Sequence, residues 1–315
     1  MVLANVGDLA SSAGFFTAAA RAAHSVDVIP DPAGGSSAPP APPVPPTAPT
    51  TYTPTVVAVD DRAQGSLTTI AAEVRSFVES TAADWGFRPT VPVTFYLYGT
   101  RTGFSAGIGD VQGRPLSEAE RRRYEDTYAA VAIQTDVFTG GRAVLYKLEQ
   151  ADGSIQSDLE IIRVVLAHEY THILQFENTN SFSTLWFVEG MANVVAFANF
   201  PSGVGLYQFD TSISNALRDG TLPSLRFLHE SWTSFTGLQA VNLAYGTAYY
   251  AVLFLAGRIG GMPLMQILSD VDSALTFEQS LDARAGFNLE TLDGTFKEWL
   301  WANGGISRAS SWAIC

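Results

Sequence analysis

The chain has 315 residues, 47% of them hydrophobic and 16% charged, with 18 basic against 31 acidic side chains and a formal net charge of -13. That balance supplies a real hydrophobic core for one large domain or two lobes, and it excludes a chain disordered throughout. A net negative surface repels phosphate backbones and anionic membranes, which excludes nucleic acid as an expected partner. Cys315 is the only cysteine, so no intrachain disulfide can form and no cysteine-based zinc knuckle is expected. No run of 18 or more apolar residues occurs, and the longest candidate, Ala248 to Gly257, is too short to span a bilayer, so no transmembrane segment is expected. The N-terminus lacks the basic and apolar regions of a signal peptide. An extracytoplasmic or secreted location is favoured over a cytoplasmic one, and nothing fixes the oligomeric state.

Residues 1–30 are Ala-rich, with Leu3, Val6, Ala10, Ala13, Phe16 and Ala20 at near-helical spacing, and read as a loosely ordered leader. Residues 31–54 (DPAGGSSAPPAPPVPPTAPTTYTP) form a Pro-rich linker, because proline fixes φ and removes backbone donors. The folded region begins near residue 55. Gly65 to Trp85 reads as a helix with Leu67, Ile70, Val74, Phe77 and Val78 on one face. Val91 to Tyr98 is β-branched and aromatic and reads as a strand. Ser117 to about Tyr128 reads as a charged helix, with Ser117 and Glu120 at capping-box spacing. Val131 to Thr135 and Ala143 to Leu148 are two further strands, and Thr139-Gly140-Gly141 between them is a hairpin turn. Beyond residue 155 helical periodicity takes over, with helices expected at 157–177, 184–198, 209–218, 242–259, 262–271 and 290–302. The expected fold class is α+β: a small mixed sheet lobe (55–156) followed by a mainly helical lobe (157–305).

Residues 168–172 read His-Glu-Tyr-Thr-His inside the first of these later helices, and the whole chain has only 4 histidines. At about 100° per residue, His172 lies about 40° around from His168 and one turn on, so both imidazoles reach a single ion. Glu169 lies about 60° further round: too far to join them as a ligand, near enough to touch water at the metal. A catalytic zinc takes three protein ligands and keeps one position open, and a carboxylate beside that position can accept the proton of the attacking water. The third ligand is expected from a second helix. Glu189, in Trp186-Phe187-Val188-Glu189-Gly190-Met191-Ala192, is the only acidic residue between Glu177 and Asp210, and an unpaired carboxylate in so apolar a setting is costly. Gly190 and Ala192 are small, as close helix approach requires.

HEYTH at 168–172 and WFVEGMA at 186–192 make the chain resemble the gluzincin zinc peptidases and, among them, the bacterial peptidase MA-like proteins. VPVTFYLYGTRTGF (91–104), TLPSLRFLHESW (221–232) and AYGTAYYAVLFLAGRIGG (244–261) extend the likeness. The resemblance implies a zincin-like fold with the active-site helix between the two lobes. It implies a Zn2+ cofactor held by His168, His172 and Glu189, Glu169 as general base, and a peptide or protein substrate. Relatives often place an acid four residues beyond the third ligand to hold a ligand histidine. Here Asn193 stands there, and its amide oxygen can accept an imidazole N–H. Tyr245 and His229 are the candidates for the donor that a developing oxyanion needs. The aminopeptidase hallmark Gly-x-Met-Glu-Asn is absent. The competing reading is a non-catalytic, zinc-stabilised binding module on the cell surface.

A proline spacer cannot donate to a sheet, and the leader lacks a strong apolar face. A protein starting at residue 55 is therefore expected to melt cooperatively within a few degrees of the full-length chain in a thermal scan; a loss of many degrees would mean that the leader docks on the core.

Overall fold

The computed structural model describes residues 52–303 apart from 137, 180–183, 201–203 and 274; the Ala-rich leader and nearly all of the Pro-rich linker lie outside them. Strand β1 (Thr55–Ala58) leads through a short helix α1 (Asp61–Gln64) into α2 (Leu67–Trp85), β2 (Val93–Tyr98), α3 (Arg101–Gln112), α4 (Glu118–Thr127), β3 (Ala130–Ile133) and β4 (Arg142–Lys147). The helical half follows: α5 (Leu159–Phe176), α6 (Leu185–Asn199), α7 (Val204–Arg218), α8 (Leu225–Ser231), α9 (Leu238–Ile259), α10 (Gly261–Asp272), α11 (Phe277–Ala285) and α12 (Leu289–Ala302). The chain is thus a mixed α/β protein with a small sheet and a mainly helical C-terminal part. Every helix expected after residue 155 is present, α7 and α9 beginning earlier than expected. Strand β1 and helices α1, α3, α8 and α11 escape sequence reading. The segment that becomes α3, RTGFSAGIGDVQ, carries three glycines that dilute its helical signal.

The sheet runs β1-β2-β4-β3. The first two pairings are parallel, with Phe95 opposite Val56 and Val144, and β3 joins β4 antiparallel, with Ala132 opposite Val144. Period-2 alternation divides the side chains between two faces. Phe95, Leu97, Val144 and Tyr146 face α2 and α5, whereas Tyr98, Val131, Ala143 and Leu145 face α3 and α4. Both faces of β2 are covered, which is why its sequence reads as a continuous apolar run. β3 is left as a sheet edge.

Helix α5 begins where Asp158 accepts hydrogen bonds from the backbone N–H groups of Glu160 and Ile161. From Ile162 onward every residue of it except Arg163 is buried, because the sheet covers one side and the helical half the other. Arg163 reaches out to pair with Glu73 of α2, its Nε 2.7 Å from the carboxylate. At the far end Arg142 of β4 pairs with Glu177 at 2.9 Å and donates to the Phe176 carbonyl, so both ends of α5 are tied to the α/β half.

Helix α6 packs on α5 and on α9. A Cβ on Gly190 would lie 2.5 Å from the backbone oxygen of Ala248 on α9. α9 is itself long and apolar enough, over Gln239–Ile259, to cross a membrane by length and composition, although no unbroken apolar run marks it in the sequence. However, 78% of that window is buried inside the protein, as in a core helix. One apolar cluster runs from Ala63 through α5, α6 and α9 to Leu300, so both halves share a core.

Gly190→Ala is expected to force α6 and α9 apart and to destabilise the fold by about 1–3 kcal/mol, as overpacking does. Gly294→Ala, where nothing lies within 4 Å of the added carbon on the exposed face of α12, is expected to stabilise by up to ~1 kcal/mol. Thermal or urea unfolding of the two variants checks the contrast.

Candidate metal centre

α5 and α6 bring three donors together. His168 Nε2 lies 3.3 Å from one oxygen of Glu189, His172 Nε2 lies 3.8 Å from the other, and the two Nε2 atoms are 3.1 Å apart. All three side chains are buried, Glu189 completely. Zinc bonds of roughly 2.0–2.1 Å at tetrahedral angles would separate donor atoms by about 3.3 Å, so the spacing suits one ion.

The protonation states make the same point. His168 Nδ1 lies 3.0 Å from Asn193 Oδ1, and His172 Nδ1 lies 2.7 Å from Gln175 Oε1. Amide oxygens only accept, so both imidazoles carry their proton on Nδ1. Burial holds both rings neutral, pushing each down to about 4. Their Nε2 lone pairs therefore converge on each other and on Glu189, whose two oxygens accept no hydrogen bond of ordinary geometry. Lone pairs converging in a buried volume repel unless a proton or a cation lies among them, and a cation shared by all three removes the conflict. The donor set, two imidazoles and a carboxylate, is one that zinc takes.

The two carboxyls respond to the same burial. Glu189 is pushed up to about 7 by desolvation, opposed by His172 and by the Tyr245 hydroxyl. Glu169 is pushed up to about 8 by desolvation and by the nearby Glu189, opposed by a hydrogen bond from the backbone N–H of Ala132. That N–H belongs to edge strand β3. Its pairing with β4 is through Ala129, Val131 and Ile133, which leaves the groups of Ala132 directed outward to α5.

The remaining candidates divide. Asn193 sits against His168. Tyr245, on α9, directs its hydroxyl to Glu189 and packs its ring 5.0 Å from Trp232. His229, on α8, stacks on Phe277 at 5.7 Å and lies outside the His168–His172–Glu189 group. Two participants escape sequence reading. Gln175 had a signal, a polar residue three positions after His172 in the apolar run Ile-Leu-Gln-Phe; Ala132 had none, since only its backbone takes part.

A family model described as Peptidase MA superfamily matches residues 129–302. This chain belongs to the Peptidase MA superfamily. The matched segment starts at the last residue before β3 and contains both helices of the centre, while β1, β2 and the 91–104 segment lie before it. No curated protein and no solved structure matches the chain. The superfamily is one of metallopeptidase-like proteins, and the buried His168–His172–Glu189 cluster is a place where a member can hold its metal.

A zinc ion held here would displace the proton that Glu189 holds below about pH 7 in the metal-free protein and would favour ionisation of Glu169 beside it, whereas the histidines are already neutral well below that. Zinc affinity is therefore expected to rise at least about tenfold per pH unit up to about pH 7 and to flatten above about 8. Calorimetry in buffers of different ionisation enthalpy should read about one to two protons released per zinc near pH 6. Affinity that already flattens at the ordinary imidazole value would contradict this electrostatic picture.

Proposed function

We propose that the protein is a zinc-dependent hydrolase of the gluzincin type, a peptidase that cleaves an amide bond of a peptide or protein substrate. The observation that carries the reading is the convergence of His168, His172 and Glu189 with Glu169 buried beside them. In this reading residues 55–305 form one zincin-like peptidase unit, with α5 as the active-site helix between the sheet lobe and the helical lobe.

Bound zinc supplies a Lewis acid that polarises the scissile carbonyl and lowers the pKa of water at the site to about 7. His168, His172 and Glu189 hold it, and Asn193 and Gln175 orient the two rings by accepting their Nδ1 protons. Glu169 accepts the proton of the attacking water and returns it to the departing amine. Its Ala132 partner keeps the carboxylate at the sheet edge during both transfers. The Tyr245 hydroxyl, on the helical side, is the donor available to the developing oxyanion.

The competing reading keeps zinc for structure alone. Closed structural sites use four protein ligands. Among the described residues the cluster has three members, with Glu169 beside it, and this supports an open catalytic position.

Separate variants distinguish the roles. Glu169→Gln is expected to keep zinc and to lower the rate of peptide cleavage about 10²- to 10⁴-fold, the usual worth of a general base. Glu189→Ala and His168→Ala are expected to lose zinc and activity together. Asn193→Asp is expected to tighten zinc by strengthening the bond to His168. Metal analysis of the purified variants beside a peptide-substrate screen with and without chelator measures both quantities. Zinc lost in Glu169→Gln but kept in Glu189→Ala would overturn the ligand assignment.

A further inference from the structure

We infer that Gln175 is a positioning residue of this centre, which fixes the tautomer of His172 and ties its helix to the one that carries Glu189. The inference rests on the zinc reading above. Gln175 is completely buried on α5. Its Oε1 lies 2.7 Å from His172 Nδ1, and its Nε2 donates to the Val188 carbonyl of α6 at 2.9 Å. The second bond decides the first. The amide nitrogen is committed to a carbonyl, so the end that faces the imidazole is the oxygen, and an oxygen there demands a proton on Nδ1. The Nε2 lone pair of His172 is then directed to His168 and Glu189.

Val188 is the residue immediately before Glu189, so one side chain links the second histidine to the backbone that carries the third donor. Asn193 does less. Its Oδ1 engages His168 across the same two helices, but its Nδ2 has no hydrogen-bond partner among the described residues, so that side chain is held at one end only. Gln175 is engaged at both ends, with no exposure to water that could substitute for either bond.

Two substitutions separate this role from ordinary helix packing. Gln175→Met keeps the volume and removes both bonds; Gln175→Glu keeps the acceptor for His172 and loses the donor to Val188. Zinc affinity is read by chelator competition. The His172 Nδ1–H is read by imidazole ¹⁵N–¹H spectra at neutral pH, with zinc and without, and melting of the metal-free proteins controls for folding.

Gln175→Met is expected to bind zinc about 10- to 100-fold more weakly and to lose the protected Nδ1–H signal. Gln175→Glu is expected to keep that signal and to recover affinity to within about tenfold of the native protein, at a lower melting temperature. A Gln175→Met protein that binds zinc like the native one, or equal weakening in both variants, would overturn the positioning role while the zinc reading stands. A native protein that binds no zinc would instead overturn the zinc reading, and the metal-free spectra would still decide the tautomer: Nδ1–H present in native protein and lost in Gln175→Met supports the role, and no difference refutes it. If Gln175→Met does not fold, Gln175→Glu decides alone, since loss of either its zinc or its Nδ1–H overturns the assignment.

Discussion

Burial governs the candidate metal centre. His168, His172, Glu169 and Glu189 meet where two helices and a sheet edge leave almost no surface to solvent, and in such a volume no group keeps its ordinary charge without a partner. The imidazoles stay neutral and the carboxyls hold their protons up to about pH 7 to 8. Each shifted carboxyl costs the metal-free fold on the order of a few kcal/mol at high pH, since one pKa unit is worth about 1.4 kcal/mol. Structural zinc in small peptides returns about 10–16 kcal/mol. A donor set of this kind is affordable because one ion can offset the whole of it.

The surrounding architecture serves that burial. From Ile162 onward α5 has almost no solvent face, because the sheet lies on one side and α6 on the other. Arg142 and Arg163 hold its two ends to the α/β half, with Glu177 and Glu73 as partners. Gly190 lets α9 approach α6 to backbone contact, and α9 in turn presents Tyr245 to Glu189. The residue next to the third donor is therefore one whose size is not free to change.

The sheet edge contributes through its backbone. In an antiparallel pair every second residue of the edge strand turns its N–H away from its neighbour. Ala132 is such a residue, and its N–H goes to Glu169. The position of Glu169 is thus set by sheet register as much as by the helix that bears it; a one-residue slip of β3 against β4 would turn that donor away.

Much of this was legible in the order of residues. The spacing of His168, Glu169 and His172 on one helix follows from 3.6 residues per turn, and the lone acid Glu189 in an apolar helix announced itself by its cost. Asn193 follows from its place four residues beyond Glu189, and Tyr245, along with His229, from the resemblance to enzymes that take a donor from the helical lobe. Helical and strand periods marked most elements, because each buries one stripe or one face. Only the tertiary structure decided the rest. It placed Tyr245 on Glu189 and left His229 against Phe277, although both sit in aromatic, helical surroundings that sequence cannot tell apart. It also gave Gln175 two partners on different helices and enlisted the backbone of Ala132. The physical reason is the same in each case: local periodicity tells which way a side chain faces on its own element, while the identity of what it faces depends on how distant elements pack.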